Sequence, residues 1–367
     1  MQRILVHIGD KKTGSTAIQQ ALVSGTWRCE TVSLDYVVPP DVPYHHGLAY
    51  AMVHGPDEEA TRLLKDLARR VASSKADVVV ISSELFRDVD PVVFQDLFSR
   101  YLPRHVSRVE ILAYMRPHVQ RFESNYAQIV KLGIFDGTPE WHFRNARNGP
   151  AYFHAELFLR WKAVFGDRLT VRPMLRSRLQ GGDVVQDFFH VALGEAGFSL
   201  AELPKINASP SLQELALLRR FHLDLKAVHD GCDSPALASA RMRVGERLGE
   251  IMGAYMLAQP PIRFRIGRAL AEQIAETYGE DAAKADAAFF DAPLMQDAMA
   301  AAVEAAPREV PSYWAKDHFT KDALQSVKLL ARLIGEMLLN DPDSWDGYFL
   351  SVLNSMLRGA CDPLDVA

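Results

Sequence analysis

Residues 3–8, RILVHI, form a short, largely apolar run that stops at Gly9. Such a run fits a strand buried on both faces of a parallel sheet, where no solvent-facing side demands alternation. The chain then passes through GDKKTG into STAIQQALVSG, which has helical spacing and ends at Gly25. Strand, glycine-bounded loop and helix in that order admit few folds. A parallel partner strand can be reached only by a crossover, and crossovers of this kind are right-handed.

The unit recurs down the first half of the chain. DEEATRLLKDLARRVASS (57–74) reads as an amphipathic helix, acidic at its start and basic towards its end, as the helix dipole favours. ADVVVISSE (76–84) reads as a second buried strand. In DPVVFQDLFSRYL, Asp90 is placed to cap a helix whose first residue is Pro91. RVEILAYMR (108–116) is a third strand, and Pro117 then opens the helix PHVQRFESNYAQIVKLG, which Gly133 closes. RLTVRPM (168–174) is a fourth strand, with GGDVVQDFFHVAL the helix after it. Beyond about residue 210 the strand signal ends, and SPSLQELALLRRFHLDLKAV, PLMQDAMAAAVEAA and KDALQSVKLLARLIGEMLL carry helical patterns. The fold expected is α/β: a P-loop-like, doubly wound parallel sheet flanked by helices, with a mostly helical C-terminal region. The expected division is an α/β core at 1–205 and a helical region packed on it at 206–367.

Composition narrows the functions. The 367 residues are 48% hydrophobic and 24% charged, an ordinary balance with ample length for an unstapled core. A net charge of −5 argues against a chain-wide nucleic-acid footprint, though not against a local basic pocket. Cys29, Cys232 and Cys361 lie far apart, so they suggest neither a zinc site nor a disulfide framework. The glycine-rich loop begins too early for a signal peptide, and no run approaches the ~20 apolar residues of a membrane span. A reducing cytoplasm is the expected setting.

The loop itself, HIGDKKTGST (7–16), is nearly a P-loop. Gly9 and Gly14 have the G-x-x-x-x-G spacing, but Ser15 stands where a nucleoside triphosphatase carries lysine, and Lys11 and Lys12 precede the second glycine. Strand, loop and helix N-terminus still make an anion site, since loop N–H groups converge where the helix dipole is positive. Thr13, Ser15 and Thr16 offer hydroxyl donors and Lys12 a point charge.

HIGDKKTGSTAIQ resembles the 5′-phosphosulfate loop of sulfotransferases, whose bacterial carbohydrate-type members read roughly H-x-G-x-P-K-T-G-T-T-x-L-Q. Lys12, Thr13, Gly14, Ser15 and Thr16 fall on the K-T-G-T-T stretch, while Lys11 stands where the family usually has proline. YMRPHVQRFESNYAQIVKLG resembles the family's 3′-phosphate segment, with Arg116 ending a strand and Ser124 eight residues on. VVVISSE, WKAVFGDRLTVRPMLRSRLQGGDVVQDFF and NASPS are looser echoes, so the resemblance covers roughly residues 3 to 220. It implies that 3′-phosphoadenosine 5′-phosphosulfate (PAPS) is the donor, with no metal required. Thr13 to Thr16 would cradle the 5′-phosphate, Lys12 would stabilise the leaving oxygen, and Arg116 with Ser124 would read the 3′-phosphate. The implied acceptor is a hydroxyl or amine of a carbohydrate or glycolipid.

An acceptor must lose a proton as it attacks, and Glu84, directly after a strand, is the candidate general base. His45 and His46, in YHHGLAY, are alternatives that read otherwise as polar surface; His7 reads as a core histidine positioning the loop. Asp88 and Asp90 mimic a metal-binding D-x-D, but Asp90 is better explained as a helix cap. RMRVGER (241–247) reads as a solvated helix face in preference to acceptor-side charge. Trp141, Phe143, Arg144 and Arg147 lie in a less regular stretch that suits an anionic sugar as well as a plain loop. Two other functions stay open: a P-loop kinase or NTPase, and a catalytically silent nucleotide-binding relative acting through its helical half.

Overall fold

A computed structural model describes residues 2–25, 27–39, 42–55, 58–201, 210–232, 234–255 and 260–357. Seven strands are present among them: β1 Arg3–His7, β2 Trp27–Cys29, β3 Leu34–Tyr36, β4 Val78–Ser82, β5 Val109–Met115, β6 Leu169–Pro173 and β7 Phe198–Leu200. The α-helices of the first half are α1 Ser15–Ser24, α2 His46–His54, α3 Glu58–Ser73, α4 Pro91–Tyr101, α5 His118–Lys131, α6 Pro139–Ala146, α7 Ala155–Phe165 and α8 Val184–Leu193. The second half holds α9 Leu212–Val228, α10 Pro235–Tyr255, α11 Arg268–Phe289, α12 Leu294–Glu304, α13 Lys321–Asn340 and α14 Ser344–Leu357.

The main sheet is parallel throughout, in the order β3-β4-β1-β5-β6. Each strand expected from its apolar run is there. The short edge strand β3 and the antiparallel β2–β7 pair went unseen, since three residues are too few to carry a period. The α/β expectation holds: helices cover both faces of the sheet. One face packs Ile4, Val6, Val79 and Ile111 against helices that include α4, α5, α7 and α11. The other packs Leu5, Val80 and Leu112 against Ile18 and Leu22 of α1 and Phe188 and Phe189 of α8. Asp90 caps α4 as expected, accepting from the N–H groups of Val92 and Val93.

The second half is helical among its described residues, and it is tied into the sheet in two ways. Leu270, Ile274 and Tyr278 of α11 and Met295 of α12 share the hydrophobic cluster of Ile4 and Ile111. Helices α9, α10 and α13 form a separate cluster around Phe221, Leu225, Val244 and Ala331. The expected division at 205/206 and most of NASPS lie outside the described residues. The stretch around Trp141 is not irregular: Thr138 caps α6 and Phe143 is buried within the core.

Helix α10 crosses close over the end of α5 because Gly245 carries no side chain. A Cβ there would lie 2.4 Å from the Lys131 carbonyl oxygen and 2.7 Å from the His222 ring, whose Nε2 is itself 2.9 Å from that oxygen. Gly245→Ala must push the helices apart and should cost about 1–3 kcal/mol. Gly253→Ala, on the same helix with nothing near its would-be Cβ, should be neutral or stabilising by about 0.5–1 kcal/mol. Urea unfolding of both variants checks the contrast; equal effects would contradict it.

Candidate functional site

Strands β4, β1 and β5 are immediate neighbours, so their carboxyl ends deliver three segments to one edge: Ser83–Glu84, the loop from Gly9, and Arg116. Neighbouring strands lie about 4.8 Å apart. From β1 the chain goes to the edge strand β3, returns inward to β4 beside β1, and then crosses to the other side for β5 and β6. That reversal opens the crevice in which open α/β sheets bind ligands.

The loop is held in shape from below. Asp10 is fully buried, and its carboxylate pairs with the guanidinium groups of both Arg87 and Arg121. One Asp10 oxygen also accepts the Lys11 N–H at 2.8 Å. Thr13 adds a closed turn: its hydroxyl donates to the Asp10 carbonyl at 2.6 Å and accepts the Asp10 N–H at 3.2 Å. The Thr13 hydroxyl is therefore spent inside the loop, unlike the free donor expected. Lys12 adopts φ 67°, a left-handed conformation costly for a side-chain-bearing residue.

Two glycines set the approach distances. Gly9, at φ +60°, fits between Glu84 and Ser15; a Cβ would meet Glu84 Cβ and Ser15 Oγ, each at 2.9 Å. Gly14, at φ +86°, lies where a Cβ would strike Val184 of α8 at 2.6 Å. Gly14 is also the N-cap of α1 and has no side chain with which to cap its first N–H groups. Ser15 Oγ is buried without a hydrogen-bond partner among the described residues. Uncapped helix N–H groups and an orphaned hydroxyl in one loop fit an anionic ligand.

Lys12 and Arg116 lie on one side of this loop. Lys12 Nζ donates to Gln128 Oε1 of α5 at 2.9 Å, and Arg116 Nη1 donates to the Lys12 carbonyl oxygen at 2.6 Å. Solvent reaches the Lys12 side chain, yet protein crowds around it. Burial, with Lys131 and Arg116 nearby, lowers its pKa from 10.5 to about 8. Burial likewise lowers that of Arg116, with Arg263 adding to the effect and Glu123 opposing it. Ser124 sits half-buried on α5, the helix that also carries Gln128 and Lys131. Lys11 turns away, its Nζ 3.2 Å from Asp88.

Glu84 lies on the other side. It opens a 3-10 turn capped by Ser83, whose hydroxyl accepts from Leu85 N–H. Its Oε1 is 3.4 Å from His46 Nε2, and its Oε2 accepts from Gln19 at 3.4 Å. His46 Nδ1 is 2.8 Å from Ser83 Oγ, and its ring stacks on Tyr44 with centroids 3.9 Å apart. Burial alone would raise the Glu84 pKa, but the hydrogen bond and charge of His46 outweigh it and hold it at about 2.

The other histidines are structural. His45 is buried, not surface: Nε2 is 3.1 Å from the Val37 carbonyl oxygen, and Nδ1 is 3.3 Å from Ser82 N. A neutral ring donating from Nε2 and accepting at Nδ1 satisfies both contacts, and burial lowers its pKa to about 4. His7 is buried against Tyr114 and Phe188 with Nδ1 2.9 Å from Ser82 Oγ, and burial holds it at about 4 as well.

A cavity of about 240 Å³ opens beside Glu84 and is lined by Thr16, Gln19, Tyr44, His46 and residues of α10 and α14. The α10 contribution is Arg243, Glu246, Arg247 and Glu250, so RMRVGER borders the site and is no solvated face. Arg247 is buried and pairs with Glu250 at 3.2 Å. For RMRVGER, acceptor-side charge is the second reading of the sequence; Glu250, Asp10, Arg87, Arg121 and Lys131 are missed by it. Their signal is a long-range contact, invisible to spacing.

No family model matches the chain, and neither does any curated protein. Among solved structures it is similar to the crystal structure of a sulfotransferase from Alicyclobacillus acidocaldarius, at 14% identity. That likeness covers 81% of this chain and 99% of the other at a TM-score of 0.40, too distant to carry functional weight. No helix among the described residues is long and apolar enough to cross a membrane.

The lowered Lys12 pKa sets a pH dependence. Its cation is present below about pH 8 and lost above it, so affinity of the loop for a phosphate-bearing anion should fall up to tenfold per unit above pH 8. Between about 8 and 10.5 the unfolded chain holds a proton that the folded chain lacks. The stability contributed by Lys12 therefore rises with pH over that interval. Calorimetric titrations from pH 7 to 9.5 check the binding limb, which Lys12→Arg should move upward; a flat profile in the unmodified protein would contradict it.

Proposed function

We propose that the chain transfers a sulfuryl group from PAPS to a hydroxyl or amine of a carbohydrate or glycolipid. One observation carries this reading: the anion loop stands between a basic crevice at Lys12 and Arg116 and a carboxylate cavity at Glu84, and the two sides meet at Gly9 and Ser15. A donor laid along the basic side would present its sulfuryl group to the cavity. Lys12, Ser15 and the α1 N-terminus would hold the 5′-phosphate, and Arg116 with Ser124 the 3′-phosphate.

The chemistry then balances. The acceptor oxygen or nitrogen forms a bond to sulfur while the bond from sulfur to the bridging phosphate oxygen breaks. Charge develops on that oxygen, where Lys12 and the helix N-terminus stabilise it more in the transition state than in the ground state. The acceptor proton passes to the Glu84–His46 pair. A carboxylate held near 2 is a weak base in the empty cavity. It stays ionised across the working range, orients His46, and takes the proton as attack makes the hydroxyl acidic; His46 is the alternative acceptor of that proton.

Thermal-shift measurements with PAPS, adenosine 3′,5′-bisphosphate, and ATP with magnesium test the donor. Stabilisation by the first two and not by ATP is expected; the reverse would replace this reading with a P-loop kinase or NTPase. Lys12→Ala should remove transfer by 10²-fold or more, and Arg116→Ala should weaken nucleotide binding by about tenfold with a smaller change in kcat. Glu84→Gln should keep nucleotide affinity and lose turnover by 10²–10⁴-fold. Tight nucleotide binding with no turnover on any hydroxylated acceptor would leave a silent binding protein. Unchanged activity in both Lys12→Ala and Arg116→Ala would discard the site.

A further inference from the structure

Among the described residues, the outward face of α13 is left exposed. Its inner face is built for close packing: Ala331, Gly335 and Leu338 are buried, and a Cβ at Gly335 would meet Val228 of α9 at 2.9 Å. The opposite face carries Leu329, Leu333 and Met337 at four-residue spacing, with Leu330 alongside. Their exposures are 60%, 58%, 49% and 43% respectively. Four large apolar side chains on one exposed stripe of a 20-residue helix, about 30 Å long, mark an association surface.

The charges beside the stripe say what fits it. Arg332 pairs with Glu336 at 3.0 Å along one flank. We propose that α13 packs antiparallel against α13 of a second copy of this chain, about a two-fold axis near Leu333. An isologous contact requires a surface complementary to itself, and this one is. With the axis at Leu333, Leu329 faces Met337 of the other copy. Position 332 then lies level with 334, and 336 with 330. Arg332 of one copy and Glu336 of the other come within two residues of each other in height, about 3 Å, on the same flank. The two intrahelical pairs thereby join into one cluster in which each arginine has a carboxylate on its own helix and another across the seam, and the two arginines are equally close in height across the axis. The proposal stands apart from the catalytic reading, since nothing in it touches the loop or Glu84.

Light scattering on the full chain tests it. At tens of micromolar the expected mass is twice the 41.0 kDa of the chain. Leu333→Glu should return it to the single-chain value, with the thermal midpoint of a dilute, dissociated sample changed by no more than about 2 °C. Arg332→Glu and Glu336→Arg should each weaken association at least tenfold, and the double exchange should restore it. With copper phenanthroline as oxidant, Leu333→Cys should cross-link to itself above the background of the native cysteines, whereas Leu329→Cys should cross-link to Met337→Cys and not to itself. A monomer at all concentrations would overturn the proposal, as would a dimer indifferent to Leu333→Glu. So would a dimer that forms only after residues 358–367 are removed, because the chain's own end would then be the occupant.

Discussion

The carboxyl edge of the sheet depends on one buried carboxylate. Asp10, three residues beyond the end of its strand and directly after Gly9, is fully buried and paired with both Arg87 and Arg121. Removing one partner of such a pair typically costs about 3–5 kcal/mol, because the other charge is left buried and uncompensated. The cluster leaves the loop little choice of path. Arg87 follows β4 and Arg121 lies on α5, so the loop after β1 is bound to the segments on either side of it. The left-handed Lys12 and the closed Thr13 turn are conformations that this anchoring can enforce.

The same network reaches into the second half of the chain. Arg121 approaches His154, and the His154 and Ala155 N–H groups donate to Asp281 of α11 at 2.8 and 3.1 Å. His118, the first residue of α5, meets that carboxylate at 3.0 Å. Asp281 thus sits at the N-termini of α5 and α7 together, where a negative charge is most favourable. Two carboxylates and two guanidiniums balance one another in the interior. Helix α10 supplies a wall of the Glu84 cavity, so on the proposed reading the C-terminal helices take part in choosing the acceptor.

Strand and helix positions were legible because each runs long enough to show a period or a cap: RILVHI before Gly9, VVVIS before Ser83, Asp90 before Pro91. The loop's chemistry was legible because glycine spacing is local. What escaped was whatever two distant segments make jointly. Nothing in GDKK marks Asp10 as the partner of two arginines 77 and 111 residues away, and nothing in RMRVGER marks that helix as the wall of a cavity. His45 misled for a related reason. Two adjacent histidines in a loop look alike, but the parallel strand β4 beside β3 buries one against backbone and leaves the other to meet Glu84.

Opposite electrostatic strains on the two sides of the loop explain why a ligand of one particular shape suits it. On one side burial first, and then the nearby Lys131 and Arg116, disfavour the charge of Lys12 and lower its pKa to about 8. On the other, Glu84 is held ionised by His46 in a half-closed cavity. A small dianion in the loop would relieve the first strain and leave the second. An acceptor that brought a further permanent negative charge against Glu84 would be repelled by its carboxylate. The arrangement favours a ligand whose permanent negative charge stays on the lysine side and whose group reaching Glu84 is a neutral proton donor. On the proposed reading, a nucleotide bisphosphate facing a hydroxyl acceptor has that distribution, and the transferred group would pass between the two fields at Ser15.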